Sequence, residues 1–278
     1  SAGIIIFIKI LILTGICFVV LYPQFEKLAI SFMSVDDLYD SSVQYIPSQF
    51  SLNNYKRAIE YTDYWNTLIR TVLFVLLNSL LQVCSAMLIG YGFARFDFKG
   101  KNILFGCVIA TLIVPVQSFV VPLYKHFLGL KLLNTAFPIL LLSAGGIGLK
   151  SGLYIFLFRQ RFAGIPKELE ESGKIDGAGD FRIFRSIMVP SALTIFVTCL
   201  LFSFVWQWTD NYYISVFMPT NKYLANMVSL LATISTDDYS LSLLTNAGVI
   251  LLILPILFIF LIAQRFFVQG VETAGIVG

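Results

Sequence analysis

Six long apolar stretches restrict this chain to a membrane-spanning fold. They lie at about residues 4–22, 68–94, 102–124, 132–158, 186–209 and 239–264. Each is close to the roughly 20 residues that an α-helix needs to cross the hydrocarbon core of a bilayer. Charged residues make up only 13% of the chain, whereas about a quarter of a typical soluble domain is charged. The sequence therefore predicts an all-α polytopic membrane protein with six transmembrane helices in a single domain.

The placement of Lys and Arg predicts which connections face the cytoplasm. Ten cations in 48 residues occupy one set of connections, at residues 95–101, 159–185 and 265–278. Six cations in 81 residues occupy the alternate set, at residues 23–67, 125–131 and 210–238. Because Lys and Arg accumulate on the cytoplasmic side of membrane proteins, we expect the first set and both termini to be inside. The second set then supplies two long outer loops.

The residues that enzymes and ion-coupled carriers need are absent from the six stretches. The stretches contain no Asp or Glu, although coupling to an ion gradient usually needs carboxylates within the membrane. His126 is the only histidine, the four cysteines lie in separate stretches, and no G-x-x-x-x-G-K-[ST] phosphate loop occurs. We therefore expect no catalytic residue, metal site or cofactor in this chain, so that any ATP is hydrolysed by a partner. The net charge of +3 gives no reason to expect nucleic-acid binding.

The cytoplasmic connection at 159–185 has a more specific pattern than a simple tether. Pro166 suits the first turn of a helix, and the three glutamates between 168 and 171 would lie near the positive end of the helix dipole. The small residues 177–179 would end this short helix. Spacing of three to four residues places four side chains on one face: Leu169, Ser172, Gly173 and Asp176. A small centre flanked by acidic residues would admit a close partner.

The same connection resembles the EAA motif of ABC importer permeases. Residues 171–173, Glu-Ser-Gly, stand at the E-A-A position, and Gly177 stands at the motif glycine. The aliphatic-proline pair that ends the motif is matched at residues 189–190. Two departures occur: both alanines are replaced by other small residues, and Thr194 stands where a second proline is usual.

Two further segments extend the resemblance over nearly the whole chain. Residues 91–96, Tyr-Gly-Phe-Ala-Arg-Phe, resemble the Y-A-F-A-R junction between the second and third helices of MalG-like carbohydrate permeases. The end of the chain, residues 263–278, is similar to the A-Q-R, V-x-G and T-A-G-x-x-G elements of that family's tail. The resemblance implies the type I ABC importer fold, with a coupling helix in the cytoplasmic loop.

This resemblance implies a permease subunit of an ATP-driven, binding-protein-dependent importer, for an oligosaccharide, in a bacterial cytoplasmic membrane. It implies a second homologous permease, two cytoplasmic ATPase subunits that bind ATP and Mg, and an extracytoplasmic solute-binding protein. The loop helix would dock on one ATPase and couple it to the membrane domain. The residues expected to mediate this coupling are Glu170, Glu171, Ser172, Gly173, Asp176, Gly177 and Ala178.

Polar and aromatic residues near the apolar stretches are candidates for the solute path. Sugars present hydroxyl groups and apolar ring faces, which amides and aromatic rings recognise. Six residues fit this description best: Asn78, Gln82, Gln117, Trp206, Gln207 and Asn211. Trp208, Tyr212 and Tyr213 suit an interfacial aromatic belt at least as well. The outer loop at 210–238 faces the side on which a binding protein would dock.

The sequence is also compatible with other functions. The solute is alternatively a polyol, a glycerol phosphate ester or an amino acid. An ATP-independent channel and a membrane scaffold that only anchors an ATPase are further alternatives. Helix breakers at depth, such as Pro115, Pro138 and Pro255, favour a bundle that moves. A dependence of flux on ATP and on a binding protein would distinguish an importer from a channel.

Overall fold

The computed structural model describes the backbone of residues 2–115, 117–232 and 238–275, and the side chains of residues 3–115, 117–232 and 239–264. Part of the predicted outer loop, residues 233–237, and the side chains of the predicted C-terminal tail motif from residue 265 lie outside these ranges. Regular secondary structure in the described residues is entirely helical, which confirms the all-α prediction.

The chain forms fifteen α-helices within the described ranges. In chain order they are α1 (Ala2–Ser31), α2 (Val35–Tyr39), α3 (Asn53–Thr62), α4 (Tyr64–Arg95), α5 (Lys101–Ile113), α6 (Gln117–Gly129), α7 (Phe137–Ala144), α8 (Ser151–Ala163), α9 (Glu168–Ile175), α10 (Asp180–Ile183), α11 (Val189–Ser191), α12 (Leu193–Trp208), α13 (Asn211–Phe217), α14 (Leu224–Leu231) and α15 (Asp238–Gly275), with a π-helical turn at Phe184–Met188.

These helices divide between two compact units. The first unit comprises Ser1–Leu68 and Lys222–Leu257, and the second comprises Ile69–Asn221 and Phe258–Gly278. The predicted coupling helix and the polar residues predicted for the solute path all lie in the second unit.

In the first unit, α1 is longer than the apolar stretch that predicts it. It continues for nine residues beyond Tyr22 and contains Pro23. A single proline removes one backbone donor, and the residues that follow it, including Glu26, Leu28 and Ala29, are good helix formers. The helix therefore outlasts the apolar run. The most apolar part of α1 buries none of its residues against the rest of the chain.

The predicted outer loop at 23–67 is largely helical. It contains the end of α1, the short helices α2 and α3, and the start of α4. Ser34 and Asp37 form a capping box at the start of α2, because each side chain accepts the backbone N–H of the other. The buried Asn54 of α3 donates from Nδ2 to the Ser31 and Met33 carbonyls at 3.1 and 2.8 Å. These bonds fasten α3 to the end of α1.

A tyrosine compensates for the proline in α15. Pro255 has no N–H, so the carbonyl of Leu251, four residues earlier, loses its helical donor. The Tyr64 hydroxyl, at the start of α4, donates to the Leu251 carbonyl at 3.0 Å. A side chain from another helix therefore satisfies the backbone group that the proline frees, as membrane helices require.

In the second unit, three of the predicted spans are broken helices. The third stretch, 102–124, forms α5 and α6; the fourth, 132–158, forms α7 and α8; and the fifth, 186–209, begins in the π-helical turn and continues through α11 to α12. Val114 is extended before Pro115, because a residue before proline is disfavoured in the helical region. Gly146, at φ +73°, ends the α7 segment in a left-handed conformation.

Three helices in the described residues are long and apolar enough to cross a membrane: Gly3–Ser31, Tyr64–Arg95 and Tyr239–Gln264. The bent pairs Lys101–Ile113 with Gln117–Gly129, and Asp180–Ser191 with Leu193–Trp208, raise this number to at most five. The predicted number of six spans is therefore not confirmed. The short helices of the fourth stretch account for the difference.

Aromatic side chains form a core around α8 in the second unit. Tyr154, Phe158 and Phe162 of α8 are fully buried, and Met188 of the π-helical turn packs in the same cluster. Gly90 allows α4 to approach α8 closely, since a Cβ there would lie 2.6 Å from the Phe158 Cβ. Small residues permit such close helix packing in membrane proteins.

Candidate cytoplasmic docking site and solute cavity

The helix α9 occupies the position that the sequence predicts for the coupling helix. Three glutamates lie in its first turn, where the helix dipole favours negative charge. Gly177 follows the helix at φ +77°, and the Ala178 N–H donates to the Gly173 carbonyl at 2.9 Å. This left-handed glycine reverses the chain and ends α9 as predicted.

One face of α9 is occupied by the chain's own α4. The Arg95 Nε lies 2.6 Å from the Glu170 Oε1, and Arg95 also donates from Nη2 to the Ile165 carbonyl at 2.5 Å. Only 6% of the Arg95 side chain and 15% of the Glu170 side chain is exposed. Glu170 is thus engaged within the subunit by Arg95, and its contact with an ATPase stays a prediction.

Gly173 also faces the interior of the subunit. A Cβ at this position would lie 3.2 Å from the Ile187 Cδ1 and 3.3 Å from the Ile183 Cγ1. Ala178 packs against the same apolar cluster. The small residues of the EAA-like segment therefore let α9 approach its own core. Gly173 thus gives clearance to two isoleucines of its own subunit, and its clearance for a partner stays a prediction.

The remaining surface of α9 is exposed and mixes apolar with acidic side chains. We call it the docking face, and it consists of Leu169, Glu171, Ser172, Ile175, Asp176 and the neighbouring Phe181. Ile175 is 86% exposed and Phe181 is 76% exposed. Large apolar side chains at such exposure are typical of an interaction surface. Sequence reasoning missed Ile175 and Phe181, although large apolar residues in a polar loop were the available signal.

A second group of predicted residues forms a closed network in the interior. We call Gln82, Ser151, Ser203 and Gln207 the polar latch. Gln82 donates from Nε2 to the Leu149 carbonyl and to the Ser151 Oγ, the latter at 2.9 Å. Its Oε1 accepts from the Ser203 Oγ at 2.7 Å and from the Gln207 Nε2 at 2.6 Å. Protein groups therefore engage both ends of the Gln82 amide, and its contact with the solute stays a prediction.

The latch joins α4, α8 and α12 beside the break between α7 and α8. Leu149 lies in the break between α7 and α8, so its carbonyl is not part of a continuous helix. Gly148 makes this contact possible, because a Cβ there would lie 2.6 Å from the Ser143 Oγ and 3.1 Å from the Gln82 Nε2. The Gln82 side chain of α4 thereby satisfies backbone that the break exposes.

A cavity of about 830 Å³ opens beside the latch, and we call it the main cavity. Three of its lining regions are interruptions between helices: α5 to α6, α7 to α8, and α12 to α13. Three predicted solute-path residues line it, namely Gln117, Trp206 and Asn211. Its volume lies within the range of about 300–1,000 Å³ that small-molecule sites occupy. Irregular backbone at membrane depth is expected where it borders such a cavity.

Two charged residues that the sequence did not assign to the path also line the main cavity. The Lys150 Nζ lies 4.8 Å from the centre of the Trp206 ring, a cation–π contact. Asp210 caps α13 by accepting the Tyr212 and Tyr213 N–H groups at 3.1 and 3.3 Å. Burial raises the pKa of Asp210 to about 6, although both backbone hydrogen bonds oppose this shift.

The remaining aromatic residues differ from one another in environment. Trp208 is fully buried, so the aromatic-belt interpretation is wrong for this residue. Tyr213 is buried and Tyr212 is partly exposed, and both line the main cavity. Asn78 and Gln207 are buried beside the main cavity, in a smaller one. Within the described residues, no group of three or more His, Cys, Asp or Glu side chains is placed to hold a metal ion.

Broken helices around a cavity, together with an exposed helix fixed to the end of α4, are features of a membrane transport permease. Residues 86–273 match the family described as binding-protein-dependent transport system inner membrane component. The chain belongs to this family. It is therefore the membrane permease of a transporter rather than an enzyme, and the resemblance seen in its motifs is confirmed.

Several relatives extend the match over most of the chain. The arabinooligosaccharides transport system permease protein AraQ of Halalkalibacterium halodurans is 27% identical, over 95% of this chain and 93% of the relative. A probable ABC transporter permease protein of Pyrococcus horikoshii is 31% identical, over 81% and 80%. The melibiose/raffinose/stachyose import permease protein MelC of Bacillus subtilis is 29% identical, over 86% and 85%.

A solved structure has the same fold. The crystal structure of a bacterial ABC transporter involved in the import of the acidic polysaccharide alginate contains a chain that matches with a TM-score of 0.78. The match covers 96% of this chain and 98% of that chain, at 19% sequence identity. The fold is thus that of an ABC importer permease.

Proposed function

We propose that this chain is one permease subunit of an ATP-driven importer for an oligosaccharide, delivered by an extracytoplasmic solute-binding protein. The observation that carries the proposal is the main cavity, whose walls combine the amides of Gln117 and Asn211 with the ring of Trp206. Amides bind sugar hydroxyls and aromatic rings cover apolar sugar faces. The names of the arabinooligosaccharide and raffinose-type relatives support the same class of solute.

The docking face supports a partnership with two cytoplasmic ATPase subunits that bind ATP and Mg. Its exposed apolar side chains, Leu169 and Ile175, would enter a groove, while Glu171 and Asp176 would pair with cations at its rim. Glu171, Ser172 and Asp176 are the predicted coupling residues that lie on this face. ATP drives the cycle only if the closed ATPase pair binds the docking face better in the outward-facing permease.

A second homologous permease would complete the translocation path. The exposed apolar surface of α1 would then be shared between that subunit and lipid. The cation-rich connections support a cytoplasmic position for α9 and both termini, with the outer segments towards the binding protein.

The test is purification of the chain from its native membrane in mild detergent, identification of the associated polypeptides by mass spectrometry, and reconstitution of that complex in vesicles. We expect a second permease and an ATPase, and uptake of raffinose or arabinotriose that requires both ATP and the binding protein. Flux in ATP-free vesicles would indicate a channel instead. Preferred uptake of a polyol, a glycerol phosphate ester or an amino acid would overturn the sugar assignment. A complex without any uptake would indicate a scaffold.

A further inference from the structure

A small cavity adjoins the main cavity in the second unit, and we call it the side cavity. Its volume is about 10 Å³, close to the smallest space that holds one water molecule. It shares part of its lining with the main cavity, including Leu142, Gly148 and Asp210. Asn78 and Gln207 line only the side cavity. The two spaces therefore adjoin, and the side cavity adds two amides.

The hydrogen bonds of the polar latch fix the orientation of the Gln207 amide. The Leu149 carbonyl can only accept, so the Gln82 group beside it must be the Nε2 donor. The Gln82 Oε1 then faces Gln207 and accepts from its Nε2. The Gln207 Oε1 must therefore point away from the latch. This chain of bonds starts at a backbone atom, so the Gln207 amide cannot be inverted without losing a bond.

Two buried amide oxygens consequently lack donors. The Gln207 Oε1 and the Asn78 Oδ1 have no hydrogen-bond partner among the described residues, and neither atom is accessible. Asn78 is 1% exposed and Gln207 is 5% exposed. Buried polar atoms are nearly always paired, so two unpaired acceptors beside one cavity indicate a ligand that donates.

We infer that the side cavity binds a single hydroxyl-bearing group through the Asn78 and Gln207 carbonyl oxygens. The volume limits the group to one hydroxyl, and the two acceptors require that it donate. Such a donor is either an ordered water molecule, which can donate one hydrogen to each oxygen, or a hydroxyl of the solute that reaches in from the main cavity and donates its single hydrogen to one oxygen or shares it between the two. Only the second alternative, a hydroxyl of the solute, rests on the proposed function. In that case the side cavity is a subsite that selects a hydroxyl at one position of the sugar.

The variant Asn78→Leu in the reconstituted complex tests the inference, because leucine removes the acceptor and keeps a similar volume. Two quantities are measured: the Michaelis constant for uptake of the better of raffinose and arabinotriose, and the melting temperature. A solute hydroxyl predicts about a tenfold rise in that constant with little change in maximal rate, since one ground-state hydrogen bond is lost. A water molecule predicts a lower melting temperature with the constant unchanged.

Ser79→Ala is the matched control. The Ser79 Oγ is also buried without a partner among the described residues, but Ser79 does not line the side cavity. We expect no change in the Michaelis constant for Ser79→Ala. If Asn78→Leu does not assemble, Asn78→Ala replaces it, with the same direction expected for both quantities.

Three results would overturn the inference. A higher melting temperature for Asn78→Leu with unchanged uptake would mean that the two acceptors are unpaired in the working protein. An equal rise in the Michaelis constant for Ser79→Ala would mean that substitutions in this part of α4 have the effect in general. A melting temperature that rises when Na⁺ replaces choline would assign the acceptors to a cation. If the wild-type complex transports no oligosaccharide, the proposed function fails, while the melting temperatures still decide whether a hydroxyl donor is bound.

Discussion

Arg95 and Glu170 join the end of the long apolar helix α4 to the short helix α9, with their Nε and Oε1 atoms 2.6 Å apart. Both side chains are largely buried, and Arg95 also holds the Ile165 carbonyl that precedes α9. The helix α9 is therefore attached to α4 by charge as well as to its chain neighbours. A displacement of the docking face would reach α4 directly.

Breaking this ion pair is expected to uncouple the permease. Arg95→Ala or Glu170→Ala leaves one charge poorly solvated, and we expect a loss of about 1–3 kcal/mol in stability together with ATP turnover that no longer tracks uptake. The measurement is the ratio of ATP hydrolysed to sugar imported in vesicles. Asp97→Ala is the control, because its exposed pair with Lys101 should be worth less than about 1 kcal/mol.

Exchanging the two charges distinguishes the effect of the ion pair from the effect of either residue alone. The double variant Arg95→Glu with Glu170→Arg restores the attraction but not the bond to Ile165, so partial recovery of the ratio is expected. Single variants that keep the wild-type ratio, or a double variant no better than the singles, would contradict the role given to the pair.

The two faces of α9 should respond differently to the same substitution. Gly173→Leu forces a side chain against Ile183 and Ile187, and overpacking of this kind costs about 2 kcal/mol. Ser172→Leu adds the same group on the docking face. We expect the first to lower the melting temperature, and the second to leave it unchanged while weakening ATPase binding. Equal melting temperatures would show that Gly173 is not packed as described.

The rotation of α9 is the part of the docking site that the sequence did not predict. Its position and ends follow from local signals, the glutamates of the first turn and Gly177. The inward direction of Glu170 and Gly173 depends on Arg95, 75 positions before Glu170, and on two isoleucines beyond the turn. A helical pattern shows which residues share a face, but it does not show which face meets the protein.

The same limit applies to polar residues within the apolar stretches. From the sequence, Gln82 and Asn78 are equivalent. Both are amides in one helix, and each is able to bind either the solute or the protein. They differ because a helix break brings the Leu149 carbonyl to Gln82, while the Asn78 Oδ1 has no donor among the described residues. Such long-range pairing is fixed only when the helices pack.

Gly148→Ala should break the polar latch. The added methyl group would meet the Ser143 Oγ and the Gln82 Nε2, so the Gln82 side chain must leave the Leu149 carbonyl. We expect a loss of about 1–3 kcal/mol, measured as a lower melting temperature in detergent. Gly92→Ala is the control, because a Cβ at Gly92 would meet no atom of a neighbouring element within 4 Å. A stable Gly148→Ala variant would mean that the break adapts without the latch.

Tyr64 and Pro255 should be coupled energetically. Tyr64→Phe leaves the Leu251 carbonyl without its donor, which we expect to cost about 1 kcal/mol. In a Pro255→Ala background, the new N–H of residue 255 supplies a helical donor, so Tyr64→Phe should cost clearly less. Melting temperatures of the four proteins in this cycle measure the coupling. Additive effects would show that the hydroxyl does not compensate for the proline.

The capping box in the outer segment should make its stability depend on pH. Hydrogen bonds from Ser48 and from the Ser34 N–H hold the pKa of Asp37 below its usual value. Because the pKa is lower in the folded than in the unfolded chain, the stabilisation is complete above about pH 4 and is lost as the pH falls through the folded pKa. We expect Asp37→Asn to weaken amide protection around residue 48 at pH 6, and to differ less from the wild type at pH 3. Asp36→Asn, on the exposed side of α2, should match the wild type at both values. A difference for Asp37→Asn that is the same at both pH values would exclude the carboxylate charge as its cause.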